Sequence, residues 1–306
     1  MKYCNLHGKN VSSVVMGCMR IADKPLRQTE DVIVAAMQSG VNMFDHADIY
    51  GGGDSEKVFG IAMRDLEIPR KDYIIQTKCG IHKLEKGRCY DFSKEYILAS
   101  VEGSLKRLNT EYIDVLLLHR PDTLVEPEEV AEAFERLRAD GKVRMFGVSN
   151  FSAGQMRMFE ESGIEIVANQ LQFSLAHTAL VDAGFNVNMY KEESVVRAGG
   201  ALEYARARGI ALQAWSPFQY GKFEGLFIGN EKYPVLNAEL SRLAEQYECT
   251  PFAVAAAWIL RHPAFKQVIT GTTSAEHMNE ICKGADITLS REEWYGLYEA
   301  AGATLP

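Results

Sequence analysis

Four polar side chains that could together move a proton stand at or just past the ends of apolar segments. With the segments that precede them, they are Asp45 and Tyr50 after residues 41–44, Lys78 after 73–77, and His119 after 113–118. Each segment has the composition of a buried β-strand and is followed by helix-like sequence. Side chains at the carboxyl ends of parallel strands converge on one face, which in closed α/β barrels is the catalytic face. An acid, a phenol, an amine and an imidazole gathered there predict proton transfer.

The phenol of Tyr50 needs a neighbouring cation if it is to exchange a proton near neutral pH. A free tyrosine has a pKa of about 10, and a close positive charge lowers this pKa because it favours the phenolate. Lys78 is the candidate cation, and Asp45 on the neighbouring strand could hold it, since a lysine inside a core is costly unless paired. The glycines at 51–53 would let the chain bend so that Tyr50 lies over the barrel mouth. His119 could then hydrogen-bond the substrate oxygen or the tyrosine.

Each of these residues also has an ordinary structural explanation. A tyrosine after a strand commonly packs, a lysine at a strand end is commonly a solvated rim charge, and a histidine or aspartate there commonly caps or bonds locally. Taken singly, each ordinary explanation is the stronger one. Taken together, they require four independent coincidences at equivalent strand ends, and the joint placement therefore favours a catalytic site.

Composition describes an ordinary acidic protein. The chain has 306 residues, 47% of them hydrophobic, and its 33 Lys plus Arg against 41 Asp plus Glu give a formal net charge of −8. This balance argues against a general nucleic-acid binder. Because no leader-like N-terminus and no run of about 18 apolar residues is present, we expect no membrane span and a cytoplasmic location. Six scattered cysteines indicate a reducing compartment rather than disulfides or a zinc site.

Strand and helix patterns alternate eight times without a linker, which predicts an α/β fold, a (β/α)8 TIM barrel, as one domain over residues 1–306. The predicted strands span residues 14–18, 41–45, 73–78, 113–119, 143–149, 166–170, 210–215 and 266–270. The predicted crossover helices span residues 29–39, 55–65, 93–108, 127–139, 152–161, 194–207, 237–247 and 274–283. Two extra helices are predicted near the C-terminus, at 251–261 and 289–303. A doubly wound open sheet is the alternative, but no G-x-G-x-x-G follows the first strand.

Five motifs, in this order and at these spacings, make the chain resemble the aldo-keto reductases. They are FDHADIYGGGDSEKVFG, IIQTKCG, DVLLLHRPD, GKVRMFGVSNF and NQLQFS, and the resemblance runs from about residue 14 to about residue 289. It implies a (β/α)8 barrel and hydride transfer between a nicotinamide cofactor and a carbonyl substrate. It also implies that Tyr50 is the general acid, that Lys78 and Asp45 lower its pKa, and that His119 orients the carbonyl. These roles agree with those drawn from the residues alone.

The same resemblance locates the nicotinamide. Ser149, Asn150 and Gln170 match positions that bind the carboxamide, and their side chains carry donors and acceptors that suit an amide. Trp215 matches an aromatic that stacks on the nicotinamide ring, and Ser216 begins a loop that approaches the pyrophosphate. Without the family, Asn150 is as well explained as a turn residue, and Trp215 as a core aromatic.

The segment ITGTTSAEHM supplies the last cofactor element. It opens the predicted helix 274–283, so its backbone N–H groups and hydroxyls could bind a phosphate. Gly271, Thr272 and Ser274 lie in this segment, and His277 stands where the family commonly has an arginine for the 2′-phosphate of NADPH. We predict NADP(H) as the cofactor, with NAD(H) as the alternative.

The remaining expectations concern ligands and partners. No metal is predicted, because His46 and Asp48 lack a third ligand nearby. The substrate is predicted to be a small carbonyl compound held by loops that include residues 19–20, 89–90 and 173–193. The 173–193 segment could either close over the substrate or form a surface excursion with its own short turn. No oligomeric partner is indicated. The alternative function is a nucleotide-sensing regulatory or interaction subunit that retains the cofactor site.

Overall fold

Eight parallel strands close into a barrel in the computed structural model, which describes residues 1–221 and 223–306. The strands are β1 Tyr3–Leu6, β2 Lys9–Ser12, β3 Val14–Gly17, β4 Met43–Asp45, β5 Ile74–Cys79, β6 Ile81–Lys83, β7 Arg88–Tyr90, β8 Ile113–Leu118, β9 Val143–Ser149, β10 Ala168–Gln172, β11 Ala211–Trp215, β12 Gln219–Tyr220, β13 Gly225–Leu226 and β14 Phe265–Thr270. The barrel consists of β3, β4, β5, β8, β9, β10, β11 and β14 in chain order. The predicted (β/α)8 TIM barrel is therefore confirmed.

The helices lie between and after these strands. They are α1 Leu26–Gln38, α2 Asp54–Asp65, α3 Lys94–Leu108, α4 Pro127–Ala139, α5 Ala153–Glu161, α6 Ala179–Phe185, α7 Ala201–Arg208, α8 Pro234–Gln246, α9 Pro251–Arg261, α10 Ala275–Lys283 and α11 Arg291–Ala300. Predicted and observed bounds agree within three residues, except for α7. Within the described ranges, no helix combines the length and the apolar character that crossing a bilayer requires.

Successive side chains of a barrel strand point alternately outwards and inwards, so the core consists of two clusters. Outward-pointing side chains pack beneath the helices in the larger cluster, while inward-pointing ones such as Val15 and Val115 fill the barrel interior. The antiparallel hairpin of β1 and β2 adds Leu6 and Val11 to the interior cluster. This hairpin, which sequence reasoning did not predict, closes the amino-terminal end of the barrel. The carboxyl-terminal end is left as the mouth.

Of the two helices between β11 and β14, the second one packs on the barrel. α9 contacts β14 and buries Val254, Trp258 and Ile259 completely, whereas α8 packs against α9 and α11. The prediction that 237–247 is the crossover helix and 251–261 the extra one is therefore wrong. α8 has the single apolar stripe typical of a helix with one exposed face, while the almost wholly apolar α9 is covered on both sides.

The helix predicted at 194–207 begins later than expected, at Ala201. Glu192–Ser194 forms only a short 3₁₀ turn, and Gly199 and Gly200 then adopt φ values of 55° and 70°. These left-handed conformations interrupt a right-handed helix, and only glycine adopts them at little cost. The amphipathic pattern upstream of the two glycines is therefore not helical.

Glycines also set the turn that carries Tyr50. The short 3₁₀ helix Tyr50–Gly53 follows β4, and its Gly51 and Gly53 have φ values of 59° and 97°. A Cβ added at Gly51 would lie 2.3 Å from the Cβ of Ala22, so a side chain there would displace the neighbouring loop. The bend anticipated at residues 51–53 is therefore present, and it brings Tyr50 back over the end of β4.

Candidate active site

The ammonium of Lys78 lies at the centre of the strand-end cluster. Its Nζ donates hydrogen bonds to Asp45 Oδ2 at 2.7 Å, to the backbone oxygen of His46 at 2.8 Å and to the Tyr50 hydroxyl at 3.1 Å. The Lys78 residue is only 1% exposed. Burial by itself lowers the pKa of Lys78, but Asp45 and Tyr50 outweigh this effect and leave the pKa above its ordinary value. Lys78 is therefore a permanent cation beside the phenol.

Tyr50 has a pKa above the ordinary value of a tyrosine, because burial of the phenol outweighs the attraction of Lys78. Asp45 raises this pKa further, since a carboxylate disfavours a nearby phenolate. The expectation that Lys78 and Asp45 together lower the pKa is therefore wrong for Asp45, whose contribution is to hold Lys78 in place. A phenol that stays protonated near neutral pH is in the correct state to donate a proton.

His119 completes the cluster at the end of β8. Its ring lies edge-on to that of Tyr50, with centroids 5.9 Å apart. Burial, together with the charges of Lys78 and Arg120, holds the pKa of His119 well below its ordinary value. The imidazole is therefore neutral near neutral pH, and its one N–H can donate to a carbonyl oxygen.

Asp45 is oriented by two buried glutamines from inside the barrel. Gln76 Nε2 and Gln170 Nε2 donate to Asp45 Oδ1 at 2.6 and 3.0 Å, which leaves Oδ2 for Lys78. Both glutamine amides also donate to Gln213 Oε1, at 2.9 and 3.1 Å. The carboxylate is therefore held on one oxygen by amides and on the other by an ammonium.

The network of buried glutamines extends to a fourth residue, Gln267. Gln170, Gln213 and Gln267 are in register on three adjacent strands, β10, β11 and β14. Gln213 Nε2 donates to Gln267 Oε1 at 2.8 Å, and Gln267 Nε2 donates to the backbone oxygen of Ser12 at 3.0 Å. Sequence reasoning missed Gln213 and Gln267. The period of two along a strand was the available signal, since Gln213 lies two residues before Trp215 and therefore points the same way.

The residues assigned to the carboxamide are linked by hydrogen bonds at the ends of β9, β10 and β11. Ser149 Oγ donates to the backbone oxygen of Gln170 at 2.9 Å, Asn150 Nδ2 donates to Ser149 Oγ at 2.8 Å, and Trp215 Nε1 donates to Asn150 Oδ1 at 3.1 Å. Gln170 lines the cavity, and none of the described residues donates to its Oε1. This free acceptor fits the NH₂ group of a carboxamide.

A continuous cavity of about 590 Å³ joins the strand-end cluster to the start of α10. Its walls include all the predicted site residues except Lys78, which lies behind Asp45 and Tyr50. The predicted residues that line it are Asp45, Tyr50, His119, Ser149, Asn150, Gln170, Trp215, Ser216, Gly271, Thr272, Ser274 and His277. Such an elongated cleft fits an extended dinucleotide with a substrate at one end.

Among the described residues, the α10 end of the cavity is lined by hydroxyls and backbone groups and by no lysine or arginine. Ser274 caps the helix, its Oγ accepting from the His277 backbone N–H at 3.3 Å, and the Thr272 hydroxyl accepts from the Ser274 N–H at 3.2 Å. The His277 ring stacks on Phe252 with centroids 5.8 Å apart. The fit to a phosphate at this end therefore rests on N–H and hydroxyl groups.

The opposite end of the cavity differs from the predicted substrate pocket. Met19, Arg20 and Tyr90 line it as expected, but Arg88 and Arg120, which sequence reasoning did not single out, line it as well.

The 173–193 segment contributes no lining residue. It is instead anchored to α11, where the Tyr298 hydroxyl donates to Asp182 Oδ1 at 2.8 Å and Phe185 packs on Tyr298. Of the two expectations for this segment, the structure therefore favours the surface excursion, which includes the short helix α6, over a cover for the substrate. Phe173 and Phe185 pack on other aromatic rings, whereas Tyr190 is exposed.

His46 and Asp48 lie behind the cluster. Burial, with a smaller effect of Lys78, lowers the pKa of His46 to about 3, and burial raises the pKa of Asp48 to about 7. Burial also raises the pKa of the Cys79 thiol well above its ordinary value, so Cys79 is a packed and unreactive thiol. Within the described part of the chain, no three His, Cys, Asp or Glu side chains are grouped so that they could hold a metal ion.

Replacing Asp48 by Asn should stabilise the protein at neutral and alkaline pH. An unfolded aspartate ionises at a pKa of about 3.8, whereas folded Asp48 resists ionisation until about pH 7. Its contribution to stability therefore falls as the pH rises from about 4 to about 7, and stays low above that. We expect Asp48→Asn to raise the free energy of unfolding by roughly 1–3 kcal/mol at pH 8 and by almost nothing at pH 4. Urea unfolding at both pH values measures this. The exposed Asp31→Asn on α1 is the matched control, and an equal gain at both pH values would contradict the argument.

Comparison with known proteins shows similarity over nearly the whole chain. Residues 13–301 match the family model described as the aldo/keto reductase family. An uncharacterized oxidoreductase of Bacillus subtilis is 35% identical over 300 residues, which are 94% of each chain. A 6-dehydroglucose reductase of Agrobacterium fabrum is 32% identical over 302 residues, which are 95% of this chain and 94% of that protein.

A solved structure shares the architecture. It is a thermostable aldo-keto reductase in complex with the inhibitor epalrestat, which superimposes with a TM-score of 0.76 at 25% identity. The superposition covers 98% of this chain and 100% of the other.

Proposed function

Because this chain belongs to the aldo/keto reductase family, we propose that it transfers a hydride from NADPH to an aldehyde or ketone, with Tyr50 as the general acid. The observation that carries the proposal is the contact between Lys78 Nζ and the Tyr50 hydroxyl at 3.1 Å, with Tyr50 lining a cavity of about 590 Å³ that also reaches the start of α10. Members of this family are oxidoreductases that depend on a pyridine nucleotide.

The bound nicotinamide supplies the hydride to the carbonyl carbon. His119, as a neutral imidazole, donates a hydrogen bond to the carbonyl oxygen and orients it towards Tyr50. Tyr50 gives its proton to that oxygen as negative charge develops there. Lys78 stabilises the phenolate that is left behind, and Asp45 keeps Lys78 at the position where this stabilisation is largest.

We assign the cofactor-binding roles by position in the cavity. Gln170 Oε1 would accept from the carboxamide NH₂, and Ser149 and Asn150 would complete the polar contacts to the amide. Trp215 would stack on the nicotinamide ring, with its orientation fixed by the hydrogen bond to Asn150. The Ser216 loop would approach the pyrophosphate.

NADP(H) is the cofactor we propose, and NAD(H) is the alternative. The 2′-phosphate of NADPH would lie beside the loop formed by Gly271, Thr272 and Ser274, with His277 at its edge. Backbone N–H groups at a helix start and serine or threonine hydroxyls bind phosphate without requiring a cation. The preference for NADPH over NADH is therefore expected to be smaller than one built on an arginine.

A fluorescence titration tests the cofactor assignment. We expect both NADPH and NADH to quench tryptophan emission, with NADPH binding more tightly, and we expect Trp215→Phe to remove most of the quenching. Trp258 and Trp294 stack on each other at 4.9 Å in the core, so they supply a constant background. Tighter binding of NADH than of NADPH would contradict the proposed cofactor preference. Quenching that persists in Trp215→Phe would show that Trp215 does not contact the nicotinamide.

Turnover separates the enzyme from a nucleotide-sensing subunit. The absorbance of reduced nicotinamide should fall when the protein and NADPH are mixed with a panel of aldehydes and ketones. A protein that binds the cofactor with micromolar affinity or better but oxidises it with no carbonyl compound would favour the regulatory alternative. The relative named 6-dehydroglucose reductase supports carbonyl reduction as the reaction to test first.

A further inference from the structure

The substrate end of the cavity carries unpaired positive charge. Arg20, Arg88 and Arg120 line the cavity, and among the described lining residues the one carboxylate is Asp45, which is paired with Lys78. The protein as a whole has a net charge of −8. The average composition of an acidic protein does not explain a local excess of cations, and such an excess in a cavity indicates a site for an anionic ligand.

Arg120 is the most informative of the three, because it is half-buried. Its guanidinium lies 5.7 Å from the centre of the Trp215 ring, and it forms no salt bridge with any described residue. Two other arginines of comparable burial are each paired with a buried carboxylate, Arg70 with Asp114 at 2.6 Å and Arg107 with Glu56 at 2.7 Å.

The environment of Arg120 disfavours its charge. Burial lowers the pKa of Arg120, and among the described residues the phenols of Tyr90 and Tyr50 oppose this effect while no carboxylate does. A partly desolvated cation without a counter-ion is costly unless a ligand supplies the opposite charge. The chain therefore tolerates at Arg120 a cost that it offsets at Arg70 and Arg107.

The barrel topology argues that this ligand is not the phosphate of the cofactor. Arg120 follows β8, which lies four strands around the closed barrel from β14, the strand that leads into Gly271–Ser274. Arg120 is therefore across the mouth from the proposed phosphate loop.

Arg120 instead lies next to the reacting groups. It directly follows His119 in the chain and lines the same cavity as Tyr50 and Tyr90. The hairpin of β6 and β7 carries Arg88 and Tyr90 to the same part of the cavity. A substrate whose carbonyl oxygen meets Tyr50 and His119 would therefore extend towards Arg120.

We infer that Arg120, supported by Arg88, is a carboxylate-binding subsite, and that the substrate class is an aldehyde or ketone that also bears a carboxylate. The planar guanidinium can donate two parallel N–H hydrogen bonds to a carboxylate. This bidentate pair neutralises the charge of Arg120 and fixes the orientation of the substrate. This inference rests on the proposed reductase function, because the ligand of the subsite is a substrate only if the protein reduces it.

A pair of isosteric aldehydes tests the subsite. 4-Carboxybenzaldehyde and 4-carbamoylbenzaldehyde present the same reacting group and are nearly the same size, but the distal substituent is an anionic carboxylate in the first and a neutral amide in the second. We expect the wild type to have a kcat/KM at least about 10-fold higher for the acid. Arg120→Met should lower kcat/KM for the acid by about 10–100-fold, mainly through KM, and change that for the amide by less than about 3-fold. The Kd of NADPH should stay the same.

Two further variants test whether the charge of Arg120 or its bidentate geometry determines the preference for the acid. Arg120→Lys should retain part of the preference for the acid, because the charge remains while the bidentate geometry is lost. Arg64→Met, on the exposed face of α2, should leave kcat/KM unchanged for both aldehydes. An equal loss for both aldehydes in Arg120→Met, or weaker NADPH binding, would show that Arg120 serves the fold or the cofactor and would overturn the inference.

Binding of the corresponding alcohols separates failure of the subsite from failure of the reductase. 4-(Hydroxymethyl)benzoate and 4-(hydroxymethyl)benzamide cannot be reduced, so their affinities for the protein–NADPH complex do not depend on turnover. A preference for the benzoate that Arg120→Met abolishes, in a protein that reduces neither aldehyde, would support the subsite and refute the reductase. Equal reduction of both aldehydes by the wild type would support the reductase and refute the subsite.

Discussion

Replacing Tyr50 by Phe should lower kcat for carbonyl reduction by about 10²–10⁴-fold, the usual contribution of a positioned general acid. The substitution removes one hydroxyl and leaves the ring that lines the cavity. Lys78 keeps its hydrogen bonds to Asp45 and to the backbone of His46, so the buried cation remains satisfied. We therefore expect an unchanged Kd for NADPH and an unfolding midpoint close to that of the wild type. Steady-state kinetics with a neutral aldehyde, together with a cofactor titration, measures the effect.

The matched control is Tyr73→Phe. Tyr73 is buried just before β5, the strand that carries Lys78, and it packs on Phe44 and Phe59 beneath the helices rather than in the cavity. The same hydroxyl is removed, but far from the cavity, so kcat should be unaffected. If the two variants were equally active, a water molecule or another residue would have to be the proton donor, and the assignment of Tyr50 would be wrong.

The part of the site that could be predicted from the sequence is the part that lies at strand ends. Asp45, Lys78 and His119 each follow an apolar run, and such runs are readable because a strand buried on both faces has few polar residues. The structure brings these residues together because the register aligns the strands, Asp45 with Gln76 and Lys78 with Leu117. The barrel followed from the eight-fold alternation for the same reason.

The glutamine network could not be read in this way. Gln76, Gln170, Gln213 and Gln267 lie inside strands, where a polar residue looks like a solvent-facing position of a half-buried strand. All four are almost completely buried, and their partners are on other strands as much as 255 residues away along the chain. Only the closure of the barrel, which is a tertiary property, makes four buried amides satisfy one another.

Long-range packing also explains the exchanged roles of α8 and α9 and the pKa of Tyr50. α9 is the inner helix because it contacts β14, a contact that the order of the elements along the chain does not reveal. The pKa of Tyr50 was expected to fall because the cation was visible in the sequence while the burial was not. Burial is the larger of the two effects, so the direction reversed.

Replacing Lys78 by Met should have the second large effect, on both turnover and the pH profile. Among the described residues, Lys78 is the one group that lowers the pKa of Tyr50, through its charge and through a direct hydrogen bond, so its removal raises that pKa further. In carbonyl reduction, the phenolate left after proton transfer loses its counter-ion, and kcat should fall by about 10²-fold or more. In alcohol oxidation, where the phenolate is the base, the activity should appear only at a higher pH than in the wild type. Rate measurements in both directions across a pH series test this.

The folding cost of this variant has to be separated from its catalytic cost. Lys78→Met leaves Asp45 as a buried carboxylate with glutamine amides but no cation, which should lower the free energy of unfolding by about 3–5 kcal/mol. The double variant Asp45→Asn/Lys78→Met removes the uncompensated charge as well, and should recover most of that stability in urea unfolding while remaining inactive. A double variant that regained wild-type turnover, or a Lys78→Met protein with an unshifted pH profile, would show that the cation is not what makes Tyr50 a usable acid. Stability restored without turnover would instead locate the effect of Lys78 in the proton transfer itself.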